Sequence, residues 1–295
     1  MIGVIGGTGL GEALFGTATG KDYDVDTPFG KPSTSIRIVH WHGIDVALLA
    51  RHGVGHTFNP SQVPYRANIF AMKSLGVTHL IASGAVGSLQ EAMHPRDLVV
   101  VDQVIDRTYR RVPTFYDDGL AVHVEFAEPF CPCMRALLLS VASKVDTTVH
   151  PKGTYVCMEG PAFSTIAESN MHRGWAADLI GMTAMPEAKL AREAEISYGL
   201  VALVTDYDCW RPHTHGKDRL ELLAEIIANL KVATTNGVGL IRAAIEAYAA
   251  KPPAPCPVAT GLDLAVWSDR AKITPEVRRR YGVLLERYFQ AAEQK

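Results

Sequence analysis

The sequence predicts an α/β fold, and three observations point to it. Residues 178–182 and 196–205 are short apolar runs that flank a helical pattern at 186–195, which gives strand, helix and strand in succession. The chain opens on another apolar run, residues 2–5, that stops at adjacent glycines, as a buried strand does before a tight turn. Its 295 residues, 47% of them hydrophobic, suffice for one large domain or a domain with an appendage.

After the opening strand, hairpin-like material runs to about residue 50, and a helix over 64–75 is closed by Gly76. Strands follow at 78–82 and 98–101, and a loop-rich stretch, 107–133, leads into a helix over 134–144. A strand at 154–157 and a helix at 165–176 precede the central unit, in which Pro186 stands where a first-turn proline is tolerated. A long helical pattern, 219–250, then meets the proline-rich break KPPAPCP. Beyond it, Thr274 as N-cap and Pro275 at the first helical position open a final amphipathic helix, with Val277, Tyr281, Leu284, Leu285 and Tyr288 at helical spacing. The chain thus divides into a domain over 1–250 and, over 251–295, a linker and helical arm that packs on the domain or on a neighbouring subunit.

Charge narrows the function. With 29 basic against 31 acidic residues and no long basic run, neither nucleic acid nor an anionic membrane is expected as a partner. The N-terminal apolar run is too short, and too soon broken by glycine, for a signal helix, so the expected location is the cytoplasm. The five cysteines are odd in number and scattered, which makes no disulfide framework. Cys131-Pro-Cys133 has no second pair at zinc spacing, and His213 and His215 have no third ligand nearby, so no metal is expected.

Several segments carry residues suited to a small anion. Gly6-Gly7-Thr8-Gly9 follows the first strand; adjacent glycines present backbone N–H groups, and the Thr8 hydroxyl adds a donor. It lacks the Lys-Ser/Thr of a P-loop and misses the dinucleotide spacing. Arg51-His52 ends another apolar run, and guanidinium forms paired hydrogen bonds to phosphate. A third segment, Ser83 to Ser88 with Gly84 and Ala85, places small residues at the end of the strand over 78–82. Phe163, in EGPAFS, offers a ring for a planar ligand. Met182 and Thr183 end one strand of the central unit, and Asp206 and Asp208 follow the other, where ligands gather in such units.

Together, IGGTGL, RHGVGHTFNPSQVPYRANI, GAVGSL, AEPFCP, EGPAFSTIAES, GMTAMPEAKLAREA and TDYDCW resemble the methylthioadenosine phosphorylase branch of the purine nucleoside phosphorylase superfamily, over residues 2–210. The resemblance implies one domain with a central mixed β-sheet flanked by helices. It implies phosphate-dependent cleavage of 5′-methylthioadenosine, a pentosyl transfer to phosphate with no metal or organic cofactor, in purine and methionine salvage. Phosphate is then expected among Thr8, Arg51, His52, Gly84 and Ala85, the ribose at Met182, and the purine by Phe163 and Thr183. Asp206, in an apolar setting, would hold a proton for purine N7 while Asp208 orients the exocyclic amine. His123 would reach a neighbour's site in a homotrimer. Gly84, Ala162 and Gly181 stand where Thr, Arg and Asn are usual in the family, and Lys217 and Glu221 fall near usually aliphatic positions of the 5′ pocket. The rivals are a 6-oxopurine or methylthioinosine phosphorylase, a water-using nucleosidase and, from another class, a dinucleotide-binding protein.

Overall fold

In the computed structural model, which describes residues 1–16, 18–211, 219–254 and 256–293, the first apolar run becomes strand β1 (Ile2–Gly6) and turns into a short helix, α1 (Leu10–Phe15). The hairpin material is an antiparallel set, β2 (Gly20–Tyr23), β3 (Ile36–Trp41) and β4 (Ile44–Ala50). Helix α2 (Tyr65–Ser74) ends before Gly76, whose φ of 84° suits a residue without a side chain. Then come β5 (His79–Ser88), β6 (Leu98–Val100) and β7 (Gln103–Arg107), followed by α3 (Pro132–Ser140), β8 (Val149–His150) and β9 (Thr154–Met158). Helix α4 (Ile166–Gly174) starts on a capping box in which Thr165 and Glu168 satisfy each other's backbone N–H. The central unit is β10 (Leu179–Gly181), α5 (Glu187–Glu193) and β11 (Ser197–Asp206). Last are the 32-residue α6 (Arg219–Ala250), α7 (Pro275–Tyr281) and α8 (Glu286–Glu293).

The described strands form one mixed sheet in the order β2-β3-β4-β1-β5-β10-β9-β7, with β11 also on β5 and β6 joining β11 to β8. Alternate residues of β1 and β4 enter two separate apolar clusters: Ile5, Ala47 and Leu49 in one, Val4, Val46 and Leu48 in the other. The first is covered by α2 and α5 through Ile69, Met72, Leu190 and Ala191, the second by α3 and α6 through Met134, Leu138, Leu240 and Ile241. Helices on both faces are what a sheet apolar on both faces requires. The C-terminal arm packs on the first cluster through Tyr281, Leu284 and Leu285, and Arg287 bonds Glu195 at the end of α5.

Two expectations needed correction. The strand expected over 78–82 runs on to Ser88 as β5, because pairing to β11 and β10 outweighs the low strand preference of the glycines at 84 and 87. The final helix is broken at Gly282, whose positive φ of 40° stops α7 and starts a short 3-10 turn before α8. Within the central unit β10 runs antiparallel to β5 while β11 runs parallel to it, as a mixed sheet allows.

The loop between β7 and α3 is tied to α5 by Glu193, which accepts from the Thr114 hydroxyl at 2.6 Å and the Phe115 amide at 2.7 Å. Burial pushes the Glu193 carboxyl up to about 7, against these two bonds. A group whose folded pKa is raised holds its proton in the folded chain after the unfolded chain has lost it, so its contribution to stability falls as pH rises from about 4.5 to 7. Glu193→Gln removes that slope. The melting temperature of the variant, measured relative to the parent, should climb across this window, and a constant difference would show that Glu193 titrates normally.

Candidate active site

The strand register opens a gap in the sheet. On one side of β5, β1 pairs as far as Ile5 with Ala82, and β10 pairs only from Ile180 with Gly87. Between these points β5 keeps β11 on its other side, from Ser83 with Val201 to Val86 with Val204. Backbone groups alternate sides along a strand. The Ser83 carbonyl faces the β1 side, where it accepts from Arg51 Nη1 at 2.7 Å, so the Ala85 backbone, two residues on, faces the gap as well.

A cavity of about 750 Å³ fills this gap, lined by Gly7 and Thr8 after β1, Gly84 to Gly87 of β5, and Gly181 to Thr183 at the end of β10. His52, Phe163, Thr205, Asp206 and Asp208 also line it, with Leu223, Ile226 and Leu230 of α6. Of the residues singled out from sequence, Thr8, His52, Gly84, Ala85, Phe163, Met182, Thr183, Asp206 and Asp208 therefore meet in one space. Arg51 and His123 do not line it.

Arg51 lies fully buried under the glycine turn, where a Cβ on Gly7 would sit 2.8 Å from its Nη1. Its Nε and Nη2 both bond the Glu187 carboxylate at 2.7 Å, so the paired face expected to meet phosphate is occupied by Glu187. Burial works against the guanidinium charge and Glu187 more than restores it. Tyr198 donates to the same carboxylate at 2.8 Å. His123 is exposed, its ring 4.8 Å from that of Trp267 and its amide on Ala265 of the arm.

His52 is neutral in the folded chain, since burial and the Arg51 charge pull it down to about 4. Its Nδ1 is 2.8 Å from the Phe58 carbonyl, which can only accept, so Nδ1 carries the ring hydrogen and Nε2 is left as an acceptor. Such a nitrogen suits a hydroxyl, including the one on a monohydrogen phosphate.

Asp206 and Asp208 pack against Gly87, where a Cβ would lie 3.1 Å from Asp206 Oδ1 and 3.1 Å from Asp208 Cβ. A side chain at 87 would require both to give by a few tenths of an ångström. The Asp206 carboxyl is half-buried, accepts from the Asp208 amide at 2.7 Å and meets the Thr205 hydroxyl at 2.6 Å. Its setting is therefore polar, not apolar as the sequence suggested. The Trp210 indole bonds the Ser88 carbonyl at 2.8 Å and pins the loop that holds the pair.

Three of the unusual residues have structural context. At Gly84 a Cβ would meet nothing closer than the Thr183 hydroxyl at 3.4 Å, so the missing side chain leaves cavity space beside a hydroxyl. At Gly181 a Cβ would fall 2.0 Å from the phenol oxygen of buried Tyr155, which occupies the volume a side chain would take and accepts from the Thr183 amide at 3.4 Å. Glu221 is exposed and off the cavity; the α6 residues that line it, 223, 226 and 230, recur at helical spacing on another face. Lys217, His213 and His215 lie outside the described residues.

Sequence reasoning missed Arg111, in the stretch read as loop. Its buried guanidinium bonds the Met182 carbonyl at 2.6 Å, the Met185 carbonyl at 2.5 Å and the Glu159 carbonyl at 2.7 Å, which fixes the turn carrying Met182 and Thr183. Burial would raise the Glu159 carboxyl, but the Ser61 hydroxyl, the Tyr109 and Arg110 amides and the Arg111 charge hold it below its usual range. The doublet Arg110-Arg111 stands among other charged residues, Asp106, Arg107, Asp117 and Asp118, so nothing local sets it apart.

A profile described as the Phosphorylase superfamily matches residues 1–246. The S-methyl-5′-thioadenosine phosphorylase of Thermosynechococcus vestitus is 44% identical over 293 residues, 98% of this chain and 99% of that protein. The protein of the same description in Cereibacter sphaeroides is 47% identical over 279 residues, covering 94% of each. Among solved structures, a methylthioadenosine phosphorylase from an antarctic soil metagenomic library superposes with a TM-score of 0.88 at 43% identity, over 96% of this chain and 98% of that one. A methylthioadenosine phosphorylase from Schistosoma mansoni, in complex with adenine, gives a TM-score of 0.78 at 34% identity, over 85% and 92%.

Proposed function

The chain belongs to the methylthioadenosine phosphorylase family of the phosphorylase superfamily, and from that membership we propose how its cavity cleaves 5′-methylthioadenosine with phosphate, giving adenine and 5-methylthioribose 1-phosphate. The enzyme is a pentosyltransferase of the purine nucleoside phosphorylase type. The observation that carries the assignment of roles is the spacing along β5. Ala85 and Gly87, at the anion end and the carboxylate end of one cavity, are two residues and so roughly 7 Å apart, about the span of a ribose between them.

Phosphate binds at the Gly7-Thr8 turn and the Ala85 backbone, with its hydroxyl on His52 Nε2 and the buried charge of Arg51 below. Thr183 faces the space that Gly84 leaves open, and the ribose lies against Met182. As the bond from C1′ to N9 breaks, its electron pair stays with the purine and positive charge grows on the sugar, which the phosphate stabilises before one of its oxygens bonds C1′. The purine, beside Phe163, takes a proton at N7 from Asp206, while Asp208 accepts from the exocyclic amine. Thr205 supports this placing of the proton: it has one hydroxyl hydrogen, and its oxygen is 3.1 Å from the Val86 carbonyl as well as 2.6 Å from Asp206 Oδ2. When it donates to Val86, only a proton on Asp206 completes the second bond. Phosphate is a co-substrate in this scheme, and no cofactor or metal takes part.

Product analysis tests the reading. With phosphate, adenine and the sugar 1-phosphate should appear together, and without it turnover should fall by more than a hundredfold; equal rates with and without phosphate would make the protein a nucleosidase.

The 5′ methylthio group lies against Leu223, Ile226 and Leu230, a more apolar wall than the sequence suggested. Burying a group of this size is worth about 1 to 3 kcal/mol. Ile226→Ala should lower kcat/KM for 5′-methylthioadenosine by about tenfold and for adenosine by less. Equal losses on the two substrates would remove α6 from the 5′ pocket.

The proposed enzyme is a homotrimer of the cytoplasm that serves purine and methionine salvage. Phe163, 85% exposed at the cavity mouth, and Tyr109, 81% exposed, support a neighbour covering the site, to which that neighbour would bring His123. Five free cysteines suit a reducing compartment.

A further inference from the structure

Cys131 and Cys133 do not remain an isolated pair. The chain brings Cys256, from the proline-rich linker, to within 2.8 Å of Cys131, sulfur to sulfur, and the three sulfurs all lie within 4.8 Å of one another. The third thiol is 125 residues from Cys131 in sequence, which is why no spacing rule finds it. Cys131 and Cys256 are buried and Cys133 is partly exposed. The cluster lies at the start of α3, with Cys131 as N-cap and Cys133 in the first turn, and none of the three cysteines lines the catalytic cavity. The Met134 amide and the Ser197 hydroxyl are in hydrogen-bond reach of the Cys131 sulfur. Peptide N–H groups at a helix start favour negative charge.

We propose that Cys131, Cys133 and Cys256 form a thiolate site for one thiophilic cation, zinc or copper(I). A Zn–S bond of about 2.3 Å sets three sulfurs on one ion roughly 4 Å apart. The ion would spread the closest pair by about an ångström and draw the third sulfur inward, a small rearrangement. Soft thiolates select these ions, and each thiol gives its proton to solvent as it binds. The partly exposed Cys133 is the route of entry. A disulfide between Cys131 and Cys256 would leave the third thiol without a role. The site joins α3 to the linker that carries the C-terminal arm, so the ion would act as a clamp between them.

The reduced, metal-stripped full-length protein, titrated with cadmium as a spectroscopic probe, should show a thiolate charge-transfer band that saturates at one ion per chain. Zinc and copper(I), added separately, should displace it, and the tighter of the two identifies the ion. At a hundredfold excess over its Kd that ion should raise Tm by about 5 °C. Cys256→Ser should abolish the band, and Cys133→Ser, a change at the most exposed of the three, should weaken binding by at least tenfold in a chain that still folds. The proposal fails if no band forms, if it survives in Cys133→Ser unchanged, or if mild oxidation of the untitrated protein yields a Cys131–Cys256 disulfide and the reduced protein takes no ion.

Discussion

Asp206→Asn will lower kcat for 5′-methylthioadenosine by two to four orders of magnitude while KM changes by far less. The size follows from loss of a positioned proton donor in the transition state, and the split follows because the amide keeps the shape of the carboxyl and its acceptor for the Asp208 amide. Base preference should move with it. Adenine offers a donor at C6 that Asp208 can accept, whereas a 6-oxopurine presents an acceptor there, a mismatch of about 1 to 3 kcal/mol that should give the parent enzyme at least a tenfold preference for methylthioadenosine over methylthioinosine. In the variant the preference should narrow, since an amide can donate to the C6 carbonyl. Steady-state kinetics on both substrates decide the matter. An unchanged kcat would move the proton donor away from Asp206, and a parent preference for methylthioinosine would overturn the adenine assignment while leaving the phosphorylase intact.

Glu187→Ala should destabilise the fold by about 3 to 5 kcal/mol, because it strands the Arg51 charge in a site with no solvent contact. In a chain of this length that corresponds to a fall in Tm of roughly 10 °C. Replacing both partners, Arg51→Met with Glu187→Met, removes the charge together with its counterion and should recover most of the stability. The double variant's kinetics should differ from the parent's: phosphate KM should rise at least tenfold, because the positive charge below the Gly7-Thr8 turn is gone. Thermal melts and phosphate titrations on the same two variants separate the roles. If the double variant binds phosphate as the parent does, Arg51 serves only the fold.

The segments proposed to carry the chemistry were legible because each is local: the Asp-Tyr-Asp loop, the glycine turn and the Arg-His pair can be read from adjacent residues. What escaped was set by long-range pairing. The strand over 78–82 was expected to end before the glycines at 84 and 87, and only pairing to β11, with β10 joining at 87, carries it through them. The occupant of the Arg51 fork is 136 residues away, and Arg111 reaches the turn it holds across 71 and 74 residues. Composition and spacing do not encode such distances. The reading of Glu221 failed for a simpler reason, that an ungapped comparison fixes which residues face a cavity only if the helical phase is right, and five residues from 221 to 226 turn a helix well past a right angle.

The gap beside β5 bears on how such an enzyme can drift over generations. The floor of the cavity where phosphate is proposed to bind is main chain, from the Gly7 turn to Ala85, and main-chain N–H groups are present whatever residue, proline apart, occupies the position. Mutation can therefore erase a hydroxyl at 84 while the peptide groups that face the ligand persist. Substitutions that break this part of the site are those that add volume, such as a side chain on Gly7, whose Cβ would fall 2.7 Å from the Ser83 carbonyl. Descent along this lineage should accordingly be permissive toward loss and strict toward gain, so that side chains around the anion vary among cousins while the small residues at 7 and 87 are inherited unaltered.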